Sequence, residues 1–513
     1  MKILQITAIA LTVSVGISSC KSAAQNTNNK DNTIRATLSP NRRELGPNYV
    51  CFNVNTVQVD SWRSPKLIAA IDLLKPKLLR LPGGDGSNFW DWERGGLIQD
   101  TDDLPDELPS FLRANRARRY TKGKLEDFQA GLEASNTKPI FVLNMLTSDL
   151  KSQMKMLKTA REMGIKVEHI ELGNEFYFGL PNYRKIFPNP QAYADISSRW
   201  ITAIKQEFPD AKISTIGVIP KQNQNYRPRY KNWNRALLKE ALPKADAIVL
   251  HVYENHGLNN NDRDFEEEDR QFPFFTPEET EIILGEPFRN WQNIRNHSNF
   301  QLIPDDKKIW ITEYNLMEKI IYRNKEKTPR VIGSWAHGMY VMAMSLSFLE
   351  DPRVEIACNH SLITRNSMFA AVFGNRKSFI NPSNPDLEVT PYSLSATGSA
   401  LQFLGKATEQ VNSAQKISFV NSPILKGKNN YQYPALYGWI FTDTSSNQQA
   451  LIMNLGDRKI EVNLENIFPD TTNYQQIYGN PRTLVTAPEI LDRNQGQINR
   501  KITLPPHSIT RLH

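Results

Sequence analysis

From Tyr49 onward the chain alternates short apolar runs with longer amphipathic stretches. The runs Tyr49–Val54, Leu78–Leu81, Ile140–Asn144, Val167–Leu172, Ile213–Val218, Ala247–Val252, Ile309–Glu313 and Val354–Cys358 have the length and composition of strands. Between them, Pro65–Leu74, Leu125–Ala134, Lys151–Met163, Gln191–Phe208, Trp233–Ala241 and Val331–Leu349 carry apolar positions at helical spacing. Ser64-Pro65 and Ser148-Asp149 supply helix-start chemistry. Strands alternating with helices predict a parallel sheet, and eight such units predict a (β/α)8 TIM barrel over residues 47–392. A doubly wound open sheet is the competing reading.

Past a helix at Leu394–Leu404 the texture changes. Short alternating runs follow at Ala435–Thr442, Gln449–Asn454, Lys459–Asn463, Tyr474–Tyr478 and Lys501–Leu504. Residues 393–513 therefore read as a linking helix and a β-sandwich, with residues 34–46 contributing an N-terminal strand to it. No segment repeats at a solenoid or propeller period.

The first 20 residues read as an address. Lys2 precedes an apolar stretch, Ile3 to Ile17, closed by Ser18-Ser19-Cys20. This resembles a bacterial lipoprotein signal, which implies lipidation of Cys20, a membrane anchor at that point only, and residence in the cell envelope. A plain secretory signal is the rival reading. Residues 21–33 are polar and read as a flexible tether. Of the two remaining cysteines, Cys51 and Cys358, each sits in an apolar strand-like run, which favours two buried thiols over a bridge.

Composition changes this picture little. Forty per cent apolar residues suffice for a core, and a net charge of +8 spread along the chain argues against nucleic-acid binding. Chemistry is concentrated elsewhere. The fourth strand ends in Gly173-Asn174-Glu175 and the seventh in Thr312-Glu313-Tyr314. In a closed barrel both carboxylates would project into one mouth at the C-terminal face. A pair of carboxyl groups about 5–5.5 Å apart is what retaining glycoside hydrolysis requires.

These motifs resemble the clan A glycoside hydrolases. The resemblance implies Glu175 as acid/base, Glu313 as nucleophile, a carbohydrate substrate and no cofactor. Arg80-Leu81-Pro82-Gly83-Gly84 with Trp90 is similar to family 51 α-L-arabinofuranosidases. Glu171-Leu172-Gly173-Asn174-Glu175 is equally similar to the heparanase-type β-glucuronidases of family 79. Candidate substrates are thus arabinofuranosides, β-glucuronides or other β-glycosides. Asp85-Gly86-Ser87-Asn88 and a 254–292 insertion, read as a long loop walling the cleft, depart from both patterns.

Arg80 is expected to grip Glu313 through bidentate hydrogen bonds and hold it ionised. Asn174 is expected to bond the sugar hydroxyl next to the anomeric carbon. His251 and Tyr253 share one face of the sixth strand; by resemblance Tyr253 bonds the nucleophile and His251 orients the site. Asn144 ends the third strand, either facing substrate or starting a turn. Trp90, Trp92 and Tyr314 are sugar platforms or core residues, and Asn359 and His360 close the eighth strand. The same residues would serve a transglycosylase, and a non-catalytic glycan-binding surface lipoprotein on this fold is the alternative of a different class.

Other signals are weaker. Gly84-Asp85-Gly86 lacks the spacing of a phosphate loop, and Asp262–Asp269 lacks the central glycine of a calcium loop. Arg113–Tyr120 reads as a solvated basic turn, and no Cys/His group has metal-ligand spacing.

Overall fold

The structure, a computed structural model, describes residues 33–98, 122–220, 227–258, 275–318, 330–364, 368–375 and 388–513. Cys20 and residues 21–32 lie outside it, as do Arg113–Tyr120 and Asp262–Asp269. Among the described residues no helix is long and apolar enough to cross a membrane.

Eight parallel strands close into a barrel: Val50–Asn53, Leu78–Leu81, Lys138–Val142, His169–Glu171, Lys212–Ile216, Ala247–Glu254, Lys308–Leu316 and Val354–His360. The eighth pairs with the first, which excludes an open sheet. Several of the helices between them start on side-chain caps. Ser64 Oγ accepts from the Leu67 amide at the start of Pro65–Leu74, and Asp149 Oδ1 accepts from the Ser152 amide at 2.7 Å before Leu150–Glu162.

Two sequence expectations are corrected. Cys51 and Cys358 form a disulfide rather than two thiols. Barrel closure puts the first and eighth strands side by side with these residues in register, an adjacency invisible in the linear sequence. The 254–292 insertion is not all loop. Thr276 and Glu279 form a reciprocal capping box that starts a helix, Pro277–Arg295; residues 259–274 lie outside the description.

Beside the barrel stands a nine-stranded, mostly antiparallel sheet that forms the sandwich. Its middle strand Leu436–Asp443 shows how one sequence serves two cores. Tyr437, Trp439 and Phe441 pack with the barrel's helices, whereas Leu436 and Ile440 join Ile417, Ile452, Val462 and Leu504 inside the sandwich. Strand alternation places these two sets on opposite faces. Ile34–Glu44 enters this sheet between Val411–Val420 and Ile460–Asn463. The helix Trp335–Phe348, buried along its whole length, packs against both Pro277–Arg295 and the linking helix Ala396–Thr408.

Candidate active site

The polar cluster at the barrel's C-terminal mouth is built on strand ends. In the fourth strand, His169 and Glu171 alternate with Ile170 and Leu172, which join the core packed by the outer helices. The chain then turns at Gly173, whose φ is +83°; a Cβ there would sit 2.2 Å from the Phe176 ring. Asn174 follows, and Glu175 adopts φ +53°, a left-handed conformation uncommon for a residue with a side chain and a mark of functional sites.

The seventh strand contains a bulge. Ile311 pairs with Leu250 and Glu313 with His251, so Thr312 is an extra residue. Without it, alternation would bring only one of Thr312 and Glu313 inward. With it, both face the interior: Thr312 Oγ1 lies 3.4 Å from Glu171 Oε1, and Glu313 meets Arg80.

Arg80 is the hub. It is fully buried, and all five of its N–H groups are used. Nε and Nη2 form a bidentate fork on Glu171 at 2.8 and 2.7 Å; Nη2 also donates to Asn174 Oδ1 at 2.8 Å. Nη1 donates to Asn53 Oδ1 at 2.8 Å and to Glu313 Oε1 at 2.7 Å. The bidentate partner is therefore Glu171, not Glu313; only one strand separates the fourth strand from the second, which makes it nearer than the seventh. The Tyr253 hydroxyl donates to Glu313 Oε2 at 2.6 Å, and His360 Nδ1 lies 3.6 Å from the same oxygen. Asn53 Nδ2 contacts His360 Nδ1.

Burial by itself would raise the Glu313 pKa. The positive charge and hydrogen bonds supplied by His251, His360, Arg80 and Tyr253 outweigh it and hold the carboxyl below its ordinary range. Glu175 is more exposed than Glu313, 14% against 7% of the side chain. Its Oε1 meets the Tyr177 hydroxyl at 2.9 Å and His251 Nδ1 at 2.7 Å. His251 Nε2 in turn lies 3.2 Å from Thr312 Oγ1. Burial opposes a charged His251, but Glu313 and Glu175 raise its pKa overall. One oxygen of each carboxylate and a His251 ring nitrogen lie within 4.8 Å of one another. This spacing is also one at which the three side chains could hold a metal ion.

The structure does not bring every expected residue to the mouth. Trp90 is buried, its ring on Phe128 and its Nε1 donating to the Gly123 carbonyl at 3.0 Å. Trp92 is half-buried, donating to Ser152 Oγ with the Lys155 ammonium over its ring. Tyr314 faces outward past the bulge, its hydroxyl 2.7 Å from Ser345 Oγ. Asn144 is the turn-starter: its Oδ1 accepts from the amides of Leu146 and Thr147, and its Nδ2 donates to Thr147 Oγ1 and the Trp90 carbonyl. Asn359 is buried against the Tyr314 carbonyl. Conversely, Asn53, Glu171 and Asp85 belong to the cluster although sequence reasoning gave them no role. A polar side chain on the inward face of a barrel strand was the available signal for Asn53 and Glu171.

In its fold, a closed parallel barrel beside a β-sandwich, the chain is similar to several solved structures of glycoside hydrolases. The chain superposes on the family 51 α-L-arabinofuranosidase AbfB of Bifidobacterium longum with a TM-score of 0.67, at 15% identity over 93% of this chain and 99% of that one. A family 51 arabinofuranosidase from Xanthomonas axonopodis pv. citri gives 0.68 at 14% identity, over 94% and 99%. The 4-O-α-L-rhamnosyl-β-D-glucuronidase of Fusarium oxysporum gives 0.58 at 11% identity, also over 94% and 99%. At such identities the likeness is one of fold. No protein-family model matches the sequence, and no curated protein does either.

Proposed function

We propose that this protein is a retaining glycoside hydrolase in which Glu313 is the nucleophile and Glu175 the acid/base. The observation that carries the reading is the approach of the two carboxylates, with oxygens within 4.8 Å. An inverting pair, about 6.5–9.5 Å apart, leaves room for a water between them; this pair suits direct attack. Ionised Glu313 attacks the anomeric carbon, and the bond to the leaving oxygen breaks as Glu175 passes its proton to that oxygen. Water then attacks the glycosyl ester, giving its proton to Glu175 and releasing Glu313 as carboxylate. Arg80 and Tyr253, one on each Glu313 oxygen, orient the nucleophile. The arabinofuranosidase and glucuronidase neighbours support a carbohydrate substrate.

The disulfide supports an oxidising compartment, in keeping with export and a Cys20 anchor. The test uses aryl glycosides with good leaving groups. Glu313→Ala is expected to lose about 10⁴-fold or more in kcat, and Glu175→Ala to regain turnover with azide, yielding a glycosyl azide of retained configuration. Wild-type-like turnover in both variants overturns the reading; glycan binding without turnover favours the non-catalytic alternative.

A further inference from the structure

A third carboxylate stands over the same mouth. Asp85 lies in the short helical turn Gly84–Phe89 that follows the second barrel strand. That turn is tied to the Glu175 segment by a reciprocal pair: Asn88 Nδ2 donates to the Asn174 carbonyl at 2.8 Å, and the Asn174 amide donates to Asn88 Oδ1 at 3.1 Å. Asn174 itself is only 1% exposed, its amide clamped between Arg80 and Asp85. Asn174 Nδ2 donates to Asp85 Oδ1 at 2.9 Å, while Asp85 Oδ2 accepts no hydrogen bond among the described residues. Asp85 is half-buried, whereas Arg80 and Asn174 behind it in this chain of hydrogen bonds are buried.

Resting on the glycosidase reading, we propose that Asp85 is a specificity-determining residue. It accepts a hydroxyl of the sugar bound between Glu175 and Glu313, and so selects neutral glycosides against those bearing a ring carboxylate. Two observations support this. First, burial and then the nearby Glu175 and Glu313 charges push the Asp85 pKa up, against the smaller effects of His251 and the Asn174 bond. Negative charge is therefore already crowded at this spot, and a uronate would add to it. Second, the guanidinium at the mouth has no donor left for a uronate, all five N–H groups of Arg80 being spent on protein acceptors. A sugar hydroxyl suits the Asp85 carboxyl in either protonation state, because a hydroxyl can both donate and accept.

The experiment compares kcat/KM on aryl α-L-arabinofuranoside, β-D-xyloside, β-D-glucoside, β-D-galactoside and β-D-glucuronide for the wild type, Asp85→Asn and Asp85→Ser. The wild type is expected to turn over a neutral member at least about 10-fold better than the glucuronide. Asp85→Asn should lose about 10- to 100-fold on that neutral substrate and narrow its ratio to the glucuronide. A purely structural role would lower all substrates together and leave the ratio unmoved. A wild type that prefers the glucuronide, or an unchanged ratio in both variants, overturns the inference and leaves the glycosidase reading standing. Absence of turnover across the panel overturns both. Because Asp85 is part-exposed, the variants are expected to melt within a few degrees of the wild type, which a thermal scan checks.

Discussion

Cys51, Leu78, Val249, Trp310 and Cys358 fill the barrel interior with apolar contacts. Two residues further along the same strands stand Asn53, Arg80, His251, Thr312 and His360, which form the polar mouth. The step is one repeat of strand alternation, so both layers point inward from the same scaffold. The floor is apolar and carries the disulfide that staples the barrel seam. The layer above consists of buried charges that must satisfy one another. A barrel thus keeps stability at one level and chemistry at the next. The fourth strand departs from the pattern, with His169 in the floor beneath Glu171; among the described residues neither ring nitrogen has a hydrogen-bond partner, and the ring lies against Trp310.

Substitutions that strike one layer at a time test this separation. The largest effect is expected from Arg80→Met, which leaves Glu171 and Glu313 buried without their cation. It should cost about 3–5 kcal/mol in denaturant unfolding and abolish turnover together. Trp310→Ala should cost about 3–5 kcal/mol through the cavity it opens, yet leave kcat/KM per folded molecule within a few-fold. A loss of activity there as deep as in Arg80→Met would break the comparison. Replacing both cysteines by alanine should lower stability by about 2–5 kcal/mol, again with catalysis retained, measured by unfolding with and without reductant.

The smallest effect concerns pH. Burial is the leading cause that lowers the His169 pKa, to about 4. An unfolded histidine titrates near 6.5. Between these values the unfolded chain binds the extra proton, so stability falls as pH drops through that window. His169→Leu should flatten that part of the stability–pH curve and leave the neutral-pH stability unchanged or raised, because it removes an unpartnered polar ring. An unaltered slope would show that His169 titrates normally and that the floor is wetter than its packing implies.

Much of the barrel was legible because its signal is local. Apolar runs of strand length and capped helices mark themselves, and the alternating strand tails identified the sandwich. The strand-end motifs around Glu175 and Glu313 were legible for the same reason. What escaped depends on closure. The Arg80–Glu171 fork spans the interior between the second and fourth strands, and the cysteine pair spans the seam. Tyr314 was a candidate for the mouth but faces outward, because one bulged residue changes which side chains face inward and an alternation count cannot detect it. Trp90 and Asn144 sit where loops fold back onto helices, which periodicity does not report.

The strand Ile34–Glu44 has a consequence for how the chain comes into being. Its hydrogen-bonding partners, Val411–Val420 and Ile460–Asn463, lie near the other end of the chain. The sheet therefore cannot close until the last part of the sequence is available to pair with its first strand. Such sequence-distant pairing folds slowly and exposes a free edge meanwhile. The polar and charged residues of Ile34–Glu44, Arg35, Arg42, Arg43 and Glu44 among them, are of the kind that blunts an unpaired edge against self-association.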